Sequence, residues 1–209
     1  MNNKGLLIII SGYSGTGKGT VVKRLLEKYD ERYALSISAT TREPRDGEID
    51  GREYFFKSKE EFEEMIANEE LIEHACYVDN YYGTPKSYVE DRLNEGRNVI
   101  LEIEIQGALK VKELFPDSVL IFLLPPSVEE LEKRLRSRGT ETDELVNARL
   151  ARAVVESESV YNYDYIVIND DIEECVDTIN GIIPVEKLRV SHQRSFIKKI
   201  EDDLKAYKA

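Results

Sequence analysis

The chain has 209 residues, of which 41% are hydrophobic, and it carries a net charge of −12. This length can bury the core of one α/β domain with inserted subdomains, whereas the negative charge argues against general binding to nucleic acids or to anionic membranes. The apolar run near the start covers only residues 6–10, which is too short for a membrane span or a secretory signal, so we expect a cytoplasmic protein with no membrane partner.

The cysteines and histidines do not form a metal-binding motif. Cys76 and Cys175 are far apart, and we expect both to be buried thiols in a cytosolic protein, with a disulfide as the open alternative. His74 and His192 are too isolated for a histidine-based metal site.

The first predicted strand, Leu6–Ile10, leads into a glycine-rich loop and then a helix. Its uninterrupted, β-branched character is typical of a strand buried on both faces. The loop, residues 12–17, contains three glycines that permit tight turns and close backbone approach. Lys18 can reach β- and γ-phosphates beside the positive end of the helix, although Gly19 separates it from the hydroxyl of Thr20. The alternative is a glycine-rich turn that binds nothing.

A helix over Val21–Tyr29 and a short strand over Tyr33–Ser38 precede a polar stretch that contains Arg42 and Arg45. Proline and glycine within this stretch exclude a long helix. Two guanidinium groups held on a loop are well suited to bidentate capture of a phosphate. The alternative is a pair of surface arginines, solvated or paired with neighbouring carboxylates.

The middle of the chain is predicted to form a small unit of strands and helices. We expect a strand at Tyr54–Phe56, a helix that starts at the capping box Ser58–Glu61, and an apolar piece around Glu73. A turn at Asn80–Pro85 then leads to a helix at Lys86–Asn94 that ends at Gly96.

The second strong strand, Asn98–Ile105, carries Glu102 and Glu104 at its carboxyl end. Open α/β sheets bind ligands at that end of their strands. Because a buried carboxylate is costly unless it is paired or linked to a metal, the two residues predict a cation or a basic ligand. The alternative is that both side chains point to solvent.

The remaining elements follow in order. We expect a strand at Ser118–Leu124, a helix after the capping box Ser127–Glu130, a helix from Thr142, a strand at Tyr165–Ile168, a helix at Asp171–Ile179 and an amphipathic helix beyond Pro184. The helices predicted after Ser127 and from Thr142 carry several arginines, which form either a solvated face or a mobile lid that closes on phosphates. These are Arg134, Arg136, Arg138, Arg149 and Arg152.

Together these motifs closely resemble those of guanylate kinases, the enzymes that phosphorylate GMP with ATP. The resemblance runs from about Leu6 to Ile182. The phosphate loop alone is shared by many nucleotide-binding proteins, whereas the arginine stretch combined with Tyr81-Tyr82-Gly83-Thr84 is far more specific. Further matches are Gly51, Tyr54, Glu73, Glu102, Gln106-Gly107, Pro125-Pro126-Ser127, Arg138-Gly139-Thr140-Glu141 and Asn169-Asp170.

The resemblance implies a P-loop α/β core, with a parallel sheet and helices on both faces, and two inserted parts. The core covers 4–37, 98–126 and 161–184. A GMP-binding insert covers 38–97, a helical lid covers 127–160, and a basic helical extension covers 185–209. The insert and the lid are expected to close over the core when both nucleotides bind, because closure excludes water.

The resemblance also assigns roles to residues. The expected ATP-binding residues are Gly12, Tyr13, Ser14, Gly15, Thr16, Gly17, Lys18, Gly19, Thr20, Arg134 and Asn169. The expected GMP-binding residues are Ser38, Arg42, Arg45, Tyr54, Glu73, Tyr82, Thr84, Glu102 and Glu104. The expected catalytic residues are Lys18, Arg42, Arg138 and Arg149, and Mg²⁺ is expected near Thr20 and Glu102, directly or through water.

The expected specificity depends on Glu73. Guanine presents two adjacent N–H donors that a carboxylate accepts, whereas adenine would leave that carboxylate unpaired. Sites of this kind can discriminate by roughly 10⁴–10⁵. The expected partners are therefore ATP and GMP, and no residue is assigned as a general base because phosphoryl transfer depends mainly on placement and charge neutralisation.

Three departures and two alternatives remain. Gly19 stands where a hydroxyl residue usually follows the lysine, Glu104 is longer than the aspartate common there, and the extension holds seven Lys/Arg against four Asp/Glu. One alternative is an inactive, guanylate-kinase-like protein-binding module, which typically loses parts of the ATP site. The other is a P-loop kinase for a different substrate, which would have no use for Glu73 and Thr84. A monomer or a homodimer is expected.

Overall fold

The computed structural model describes residues 4–77, 79–137 and 142–207. Arg138, one of the expected lid arginines, lies outside these residues. The strands are β1 (Leu7–Gly12), β2 (Tyr33–Leu35), β3 (Ala39–Thr40), β4 (Phe55–Phe56), β5 (Leu71–Tyr77), β6 (Asn80–Pro85), β7 (Asn98–Glu102), β8 (Val119–Leu124) and β9 (Tyr165–Ile168). The α-helices are α1 (Lys18–Lys28), α2 (Lys59–Ala67), α3 (Lys86–Asn94), α4 (Ile105–Leu114), α5 (Val128–Arg136), α6 (Asp143–Ser157), α7 (Ile172–Glu186) and α8 (Arg194–Ala206).

Five strands form a parallel sheet in the order β2-β7-β1-β8-β9. The central strand β1 pairs with β7 on one side and β8 on the other, so Ile8 lies beside Ile100 and Val119. Both faces of β1 are therefore covered, which explains why its apolar residues are not interrupted. The strands β1 and β7 end at the same edge of the sheet.

Alternate residues of β1 enter separate cores because successive side chains point to opposite faces of a strand. Ile8 and Ile10 pack with α1 and α7, whereas Leu7 and Ile9 pack with α3 and α4. Burying each such side chain stabilises the fold by about 1.5–3 kcal/mol. Helices thus cover both faces of a parallel sheet, and the predicted α/β fold class is confirmed.

A second sheet, in the order β4-β3-β6-β5, lies within residues 39–85. The prediction of a turn over Asn80–Pro85 was wrong, because this segment is strand β6 and pairs with both β3 and β5. Tyr81 stacks on Phe62 with ring centroids 5.3 Å apart. Tyrosine favours strands, and pairing on both sides outweighs the turn tendency of Asn80, Gly83 and Pro85.

The capping box predicted at Ser58–Glu61 is present, since each residue caps the backbone N–H of the other. The second predicted capping box is only half formed. Ser127 accepts a hydrogen bond from the Glu130 N–H, but the Glu130 carboxylate pairs instead with Lys133 and Arg134. Its serine cap still fixes the start of α5.

The helices α5 and α6 form a small unit with its own core. Leu131, Leu135 and Val146 are buried together and pack against Tyr13 of the phosphate loop. A Cβ on residue 15 would lie 2.9 Å from Leu135 Cδ2. Only glycine therefore allows α5 to approach the loop this closely.

Two further expectations, one for the end of a helix and one for the burial of the cysteines, were partly wrong. The helix expected to stop near Ile179 is α7, which continues through Pro184 to Glu186 because Ile183 and Glu186 are buried. Cys175 is buried as expected, but Cys76 is exposed, and both are free thiols. Within the described residues, no helix has the length and apolar character needed to cross a membrane.

The second sheet depends on Phe62, which is fully buried in a core with Ala39 and Leu71. We expect Phe62→Ala to lower the free energy of unfolding by about 3–5 kcal/mol, the usual cost of removing a buried aromatic ring. Chemical denaturation would measure the change. The matched control is Phe196→Ala on α8, where the ring is 44% exposed; equal losses in both variants would contradict a core role for Phe62.

Candidate active site

The phosphate loop joins β1 to α1 through two left-handed glycines, Gly15 with φ 93° and Gly17 with φ 86°. Side chains other than glycine rarely adopt this conformation. The Lys18 ammonium donates to the Gly12 carbonyl at 2.6 Å and to the Tyr13 carbonyl at 3.3 Å. The loop thus holds a lysine across its mouth, at the N-terminus of a helix, which is an arrangement that binds anions.

Asn169 closes one side of the loop. Its Nδ2 donates to the Thr16 carbonyl at 2.7 Å, and Arg134 Nη1 donates to the Asn169 carbonyl at 2.8 Å. A Cβ on residue 17 would lie 2.8 Å from Asn169 Nδ2, so Gly17 is also required for this approach. The structure therefore connects Arg134 and Asn169 to the loop, as their predicted role beside a nucleotide requires.

Arg149 reaches the loop from α6. Its guanidinium donates to the Ser14 hydroxyl, and Tyr13 packs edge-on against Phe122 with centroids 5.0 Å apart. Arg149 thus places a guanidinium beside the phosphate loop. The fourth predicted catalytic residue, Arg138, lies outside the described residues.

Glu102 faces the start of α1. Its carboxylate oxygens lie 3.7 and 3.8 Å from the position that a Cβ on Gly19 would take. The side chain is open to solvent, yet the surrounding protein desolvates the carboxylate and raises its pKa, while the charge of Lys18 acts in the opposite direction. Thr20 is exposed in the first turn of the same helix.

Glu102 and Thr20 fit a magnesium ion whose other ligands come mainly from the substrate. No group of three or more His, Cys, Asp or Glu side chains that could hold a metal occurs in the part of the chain that the structure describes. Magnesium in kinase sites uses one or two carboxylates together with phosphates and water. Glu102, with Thr20 nearby on α1, meets that smaller requirement.

Glu104 is not directed into a buried site. It is the N-cap residue of α4, and its carboxylate pairs with Arg152 of α6. The Glu104 side chain is 77% exposed. Glu104 is therefore the solvent-facing carboxylate of the alternative interpretation. Its ion pair with Arg152 connects α6 to the start of α4.

Arg42 is held by a residue that sequence reasoning did not assign to the site, Glu48. Its Nη2 donates to both Glu48 carboxylate oxygens at 2.9 Å, and its guanidinium lies over the Tyr54 ring at 5.3 Å. The same Glu48 accepts from the Arg45 backbone N–H at 2.8 Å. Hydrogen bonding to Arg45, desolvation and the Arg42 contact act on this carboxylate, and the net effect lowers its pKa.

Three other residues, Tyr54, Tyr82 and Arg45, are expected to contact the GMP phosphate, but they do not all lie close to Arg42. The centroids of the Tyr54 and Tyr82 rings are 6.1 Å apart, with the ring planes inclined by 67°. The Arg45 side chain is exposed on the loop. The structure thus groups Arg42 with the two tyrosines and leaves Arg45 at the edge.

Glu73 and Thr84 form a direct pair on adjacent strands. The buried Thr84 hydroxyl donates to Glu73 Oε1 at 2.8 Å. Burial raises the pKa of Glu73, and the hydrogen bond from Thr84 partly opposes this effect. Ser38 precedes Ala39, which lies opposite Gly83, so Ser38 is at the same end of the sheet as Thr84. The three expected base contacts therefore lie together.

Residues 102–107 lie between the strand that precedes the phosphate loop and the Glu73–Thr84 pair. Ser11 donates to the Ile103 carbonyl at 2.8 Å, and a Cβ on Gly107 would lie 3.8 Å from Glu73 Oε2. One short segment thus contacts the strand before the phosphate loop and the carboxylate of the second sheet. The segment therefore places the phosphate loop and the Glu73–Thr84 pair on its two sides.

Comparison with known proteins gives consistent matches. A family model described as guanylate kinase matches residues 4–186. The guanylate kinase of Caldanaerobacter subterraneus subsp. tengcongensis is 52% identical over 203 residues, which cover 97% of this chain and 98% of the relative. The guanylate kinase of Bacillus anthracis is 50% identical over 203 residues, covering 97% of this chain and 99% of the relative.

A solved structure is also similar. The crystal structure of guanylate kinase from Anaplasma phagocytophilum has a TM-score of 0.67 and 36% identity, and the match covers 90% of this chain and 88% of that one. The two bacterial sequence matches extend over 203 of the 209 residues, so they include most of the segment 185–209.

The raised pKa of Glu73 has a consequence for stability. The folded state holds a proton on Glu73 more tightly than the unfolded state does, so the ionised side chain destabilises the fold at neutral pH. Glu73→Gln should therefore increase the free energy of unfolding at pH 7, within the roughly 0.5–2 kcal/mol usual for stabilising substitutions. The gain should disappear as the pH falls toward 4.5, the ordinary pKa of this group.

Denaturation of both proteins between pH 4 and pH 8 would measure this difference. Glu90→Gln, at an exposed position of α3, is the control for a general effect of removing one carboxylate. A difference between wild type and Glu73→Gln that does not change with pH would contradict the prediction.

Proposed function

This chain belongs to the guanylate kinase family, and from that premise we infer that it is an enzyme that transfers the γ-phosphoryl group of ATP to GMP. The observation that carries the assignment of the acceptor is the Glu73–Thr84 pair, which lies across residues 102–107 from the phosphate loop. A carboxylate held by a buried hydroxyl fits the two N–H donors of guanine.

We propose that the loop and the lid arginine bind ATP. Lys18 is suited to neutralise the β- and γ-phosphates, because its ammonium is already aligned by the loop carbonyls. Arg149 is suited to contact the transferring group from the opposite side, and arginines in this role raise rates by about 10³–10⁵. Asn169 and Arg134 would border the adenine. Arg138 keeps its proposed catalytic role from the resemblance alone.

The proposed position of the GMP phosphate is beside Arg42. Its guanidinium is fixed by Glu48 and by the Tyr54 ring, so little conformational entropy is lost when a phosphate binds. Tyr82 lies next to Tyr54 and can donate its hydroxyl to the same phosphate. Holding this phosphate in line with the γ-phosphate of ATP is the main task that the reaction sets.

The proposed cofactor is Mg²⁺, which the family reaction supports. Glu102 and Thr20 are the residues that would hold it, directly or through water. When bound, the ion would neutralise charge on the ATP phosphates. Lys18, Arg42 and Arg149 supply the remaining positive charge from the protein.

The proposed domain division follows the sequence interpretation, with a GMP-binding insert at 38–97 and a lid at 127–160. The Glu104–Arg152 ion pair and the Arg149–Ser14 hydrogen bond connect α6 to the two sides of the core. We propose that closure exchanges these contacts for contacts with nucleotide. A direct guanine contact from Glu104 would require its ion pair to open.

We propose that the enzyme acts in the cytoplasm in purine nucleotide metabolism, where ATP and GMP are available and free thiols persist. No nucleic acid or membrane partner is proposed. A monomer or a homodimer remains the prediction, and light scattering would decide between them. An inactive binding module is not favoured, because Lys18 and Arg149 both reach the loop.

The test of function is a coupled assay for ADP release with ATP, Mg²⁺ and, in turn, GMP, AMP, CMP and UMP. We expect turnover with GMP and kcat/KM values roughly 10⁴-fold lower for AMP, since adenine would leave the Glu73 carboxylate unpaired. Absence of turnover with GMP would overturn the assigned reaction. Equal turnover of AMP would contradict the role of Glu73.

The two halves of the site can be separated with Lys18→Ala. Its kcat should fall by about 10²–10³, because a preorganised donor to the transferring group is lost. Calorimetry should show unchanged GMP affinity, since Lys18 contacts only the ATP side of the cleft in this assignment.

The role of Glu48 in aligning Arg42 leads to a separate prediction. Glu48→Gln keeps the side-chain shape but weakens the bidentate contact, and we expect the KM for GMP to rise about tenfold with a smaller change in kcat. Glu43→Gln, at an exposed neighbouring position, is the matched control and should behave as wild type. A lower KM in Glu48→Gln would show instead that this carboxylate competes with the phosphate.

A further inference from the structure

A cavity of about 500 Å³ opens at the amino-terminal edge of the parallel sheet, away from the phosphate loop. The first residue of β1, Leu7, lines it, and Leu93 and Phe115 contribute to an apolar wall. Since a strand rises about 3.3 Å per residue, the length of β1 separates this cavity from Gly12 by roughly 15–20 Å. None of the residues that line it belongs to the proposed active site.

The charge lining the cavity is unusual for this acidic chain. Lys4, Lys187, His192 and Arg194 line it, against the single carboxylate of Asp117. Within residues 4–77, 79–137 and 142–207, the structure shows no ion pair for Lys4, Lys187 or Arg194. In a protein with a net charge of −12, three basic side chains around one cavity create a local positive field that attracts anions.

Neighbouring basic residues show what ordinary pairing looks like in the same region. Arg189 lies 3.3 Å from the buried Glu186 carboxylate, and Lys112 lies 2.8 Å from Asp164. Lys187 has only burial acting on it, which lowers the pKa of its ammonium. Lys187 is only partly buried, so its desolvation has a moderate cost, which a bound anion would offset.

A second polar group at the cavity also lacks a partner among the described residues. Ser118 is 4% exposed, and its hydroxyl makes no hydrogen bond there. Ser118 lines the cavity, next to Asp117. Buried hydroxyls are normally hydrogen-bonded. The Ser118 Oγ is itself sealed from the cavity, so a ligand there would reach it only after a local rearrangement.

We propose that this cavity binds a phosphorylated small molecule of the nucleotide class. Its phosphates would lie among Lys4, Lys187 and Arg194, and its planar, less polar part would lie against Leu93 and Phe115. The volume is within the range of roughly 300–1,000 Å³ found for small-molecule sites. An inorganic polyphosphate shares the anionic chemistry but would leave the apolar wall uncovered, so the two ligands are distinguishable by affinity.

The test uses the full chain with both substrate sites saturated by a bisubstrate analogue in which adenosine and guanosine are joined through phosphates. Calorimetric titration with GTP should then give one further binding event that weakens as salt is added. Tripolyphosphate should bind at least about tenfold more weakly, because it cannot bury the apolar wall. No binding of GTP up to millimolar concentration would overturn the site, and equal affinity for tripolyphosphate would overturn the nucleotide assignment.

Two variants locate the binding event. Lys187→Ala and Arg194→Ala should each raise the dissociation constant for GTP about tenfold or more, because each removes a charge-assisted contact. Neither residue is part of the proposed catalytic machinery, so turnover of GMP should stay at the wild-type value and report correct folding. Lys199→Ala, elsewhere on α8, is the control and should bind as wild type. Unchanged GTP affinity in both cavity variants would contradict the proposal.

Discussion

The parallel pairing of β1 with β7 is the constraint on which both sides of the cleft depend. The register that sets Ile10 beside Glu102 brings the end of the phosphate-loop strand next to that carboxylate. The Ser11 hydroxyl then fixes the Ile103 carbonyl, and the chain enters α4 beneath Glu73. A slip of one residue would turn every side chain of β7 to the other face of the sheet, so the pairing determines the distance between the phosphate loop and the Glu73–Thr84 pair.

The same cleft concentrates charges that the fold alone does not fully compensate. Desolvation raises the pKa of both Glu73 and Glu102. Each carboxylate has an expected partner in the reaction: the N–H donors of guanine for Glu73, and a divalent cation with its phosphates for Glu102. If the proposed roles hold, the desolvation of these two carboxylates is relieved by the substrates, which is the usual relation between stability and activity at enzyme sites.

Local sequence patterns predicted the parts of the site that depend on neighbours in the chain. The strand β1, the glycines of the loop and the position of Lys18 follow from a short motif whose backbone geometry is local. The resemblance assigned Arg42, Glu73 and Thr84 to one inserted part, and the structure places Glu73 and Thr84 on adjacent strands of one sheet, with Arg42 in the loop after β3. The strand β6 was missed because Asn80, Gly83 and Pro85 are typical of turns. Its partners are β5, which directly precedes it in the chain, and β3, which lies far earlier.

The contacts that sequence reasoning missed are those made by charged residues with several possible partners. Glu48 is one of several acidic residues near two arginines, and only the folded loop selects it as the partner of Arg42. The pairing of Glu104 with Arg152 joins residues 48 positions apart. Likewise, Pro184 indicated a helix end, but the buried side chains on either side of it keep α7 continuous.

The hydrogen bonds of Lys18 and Arg149 in the free protein affect which anions can occupy the loop. Lys18 donates to two loop carbonyls, and Arg149 donates to the Ser14 hydroxyl. An incoming anion competes with these contacts, and the hydrogen bonds that it forms with the ammonium and the guanidinium are charge-assisted, roughly twice as strong as neutral ones. A triphosphate can replace several of these contacts at once, whereas a single phosphate can replace fewer. The loop's own contacts would therefore favour an anion that carries several phosphates over one that carries a single phosphate.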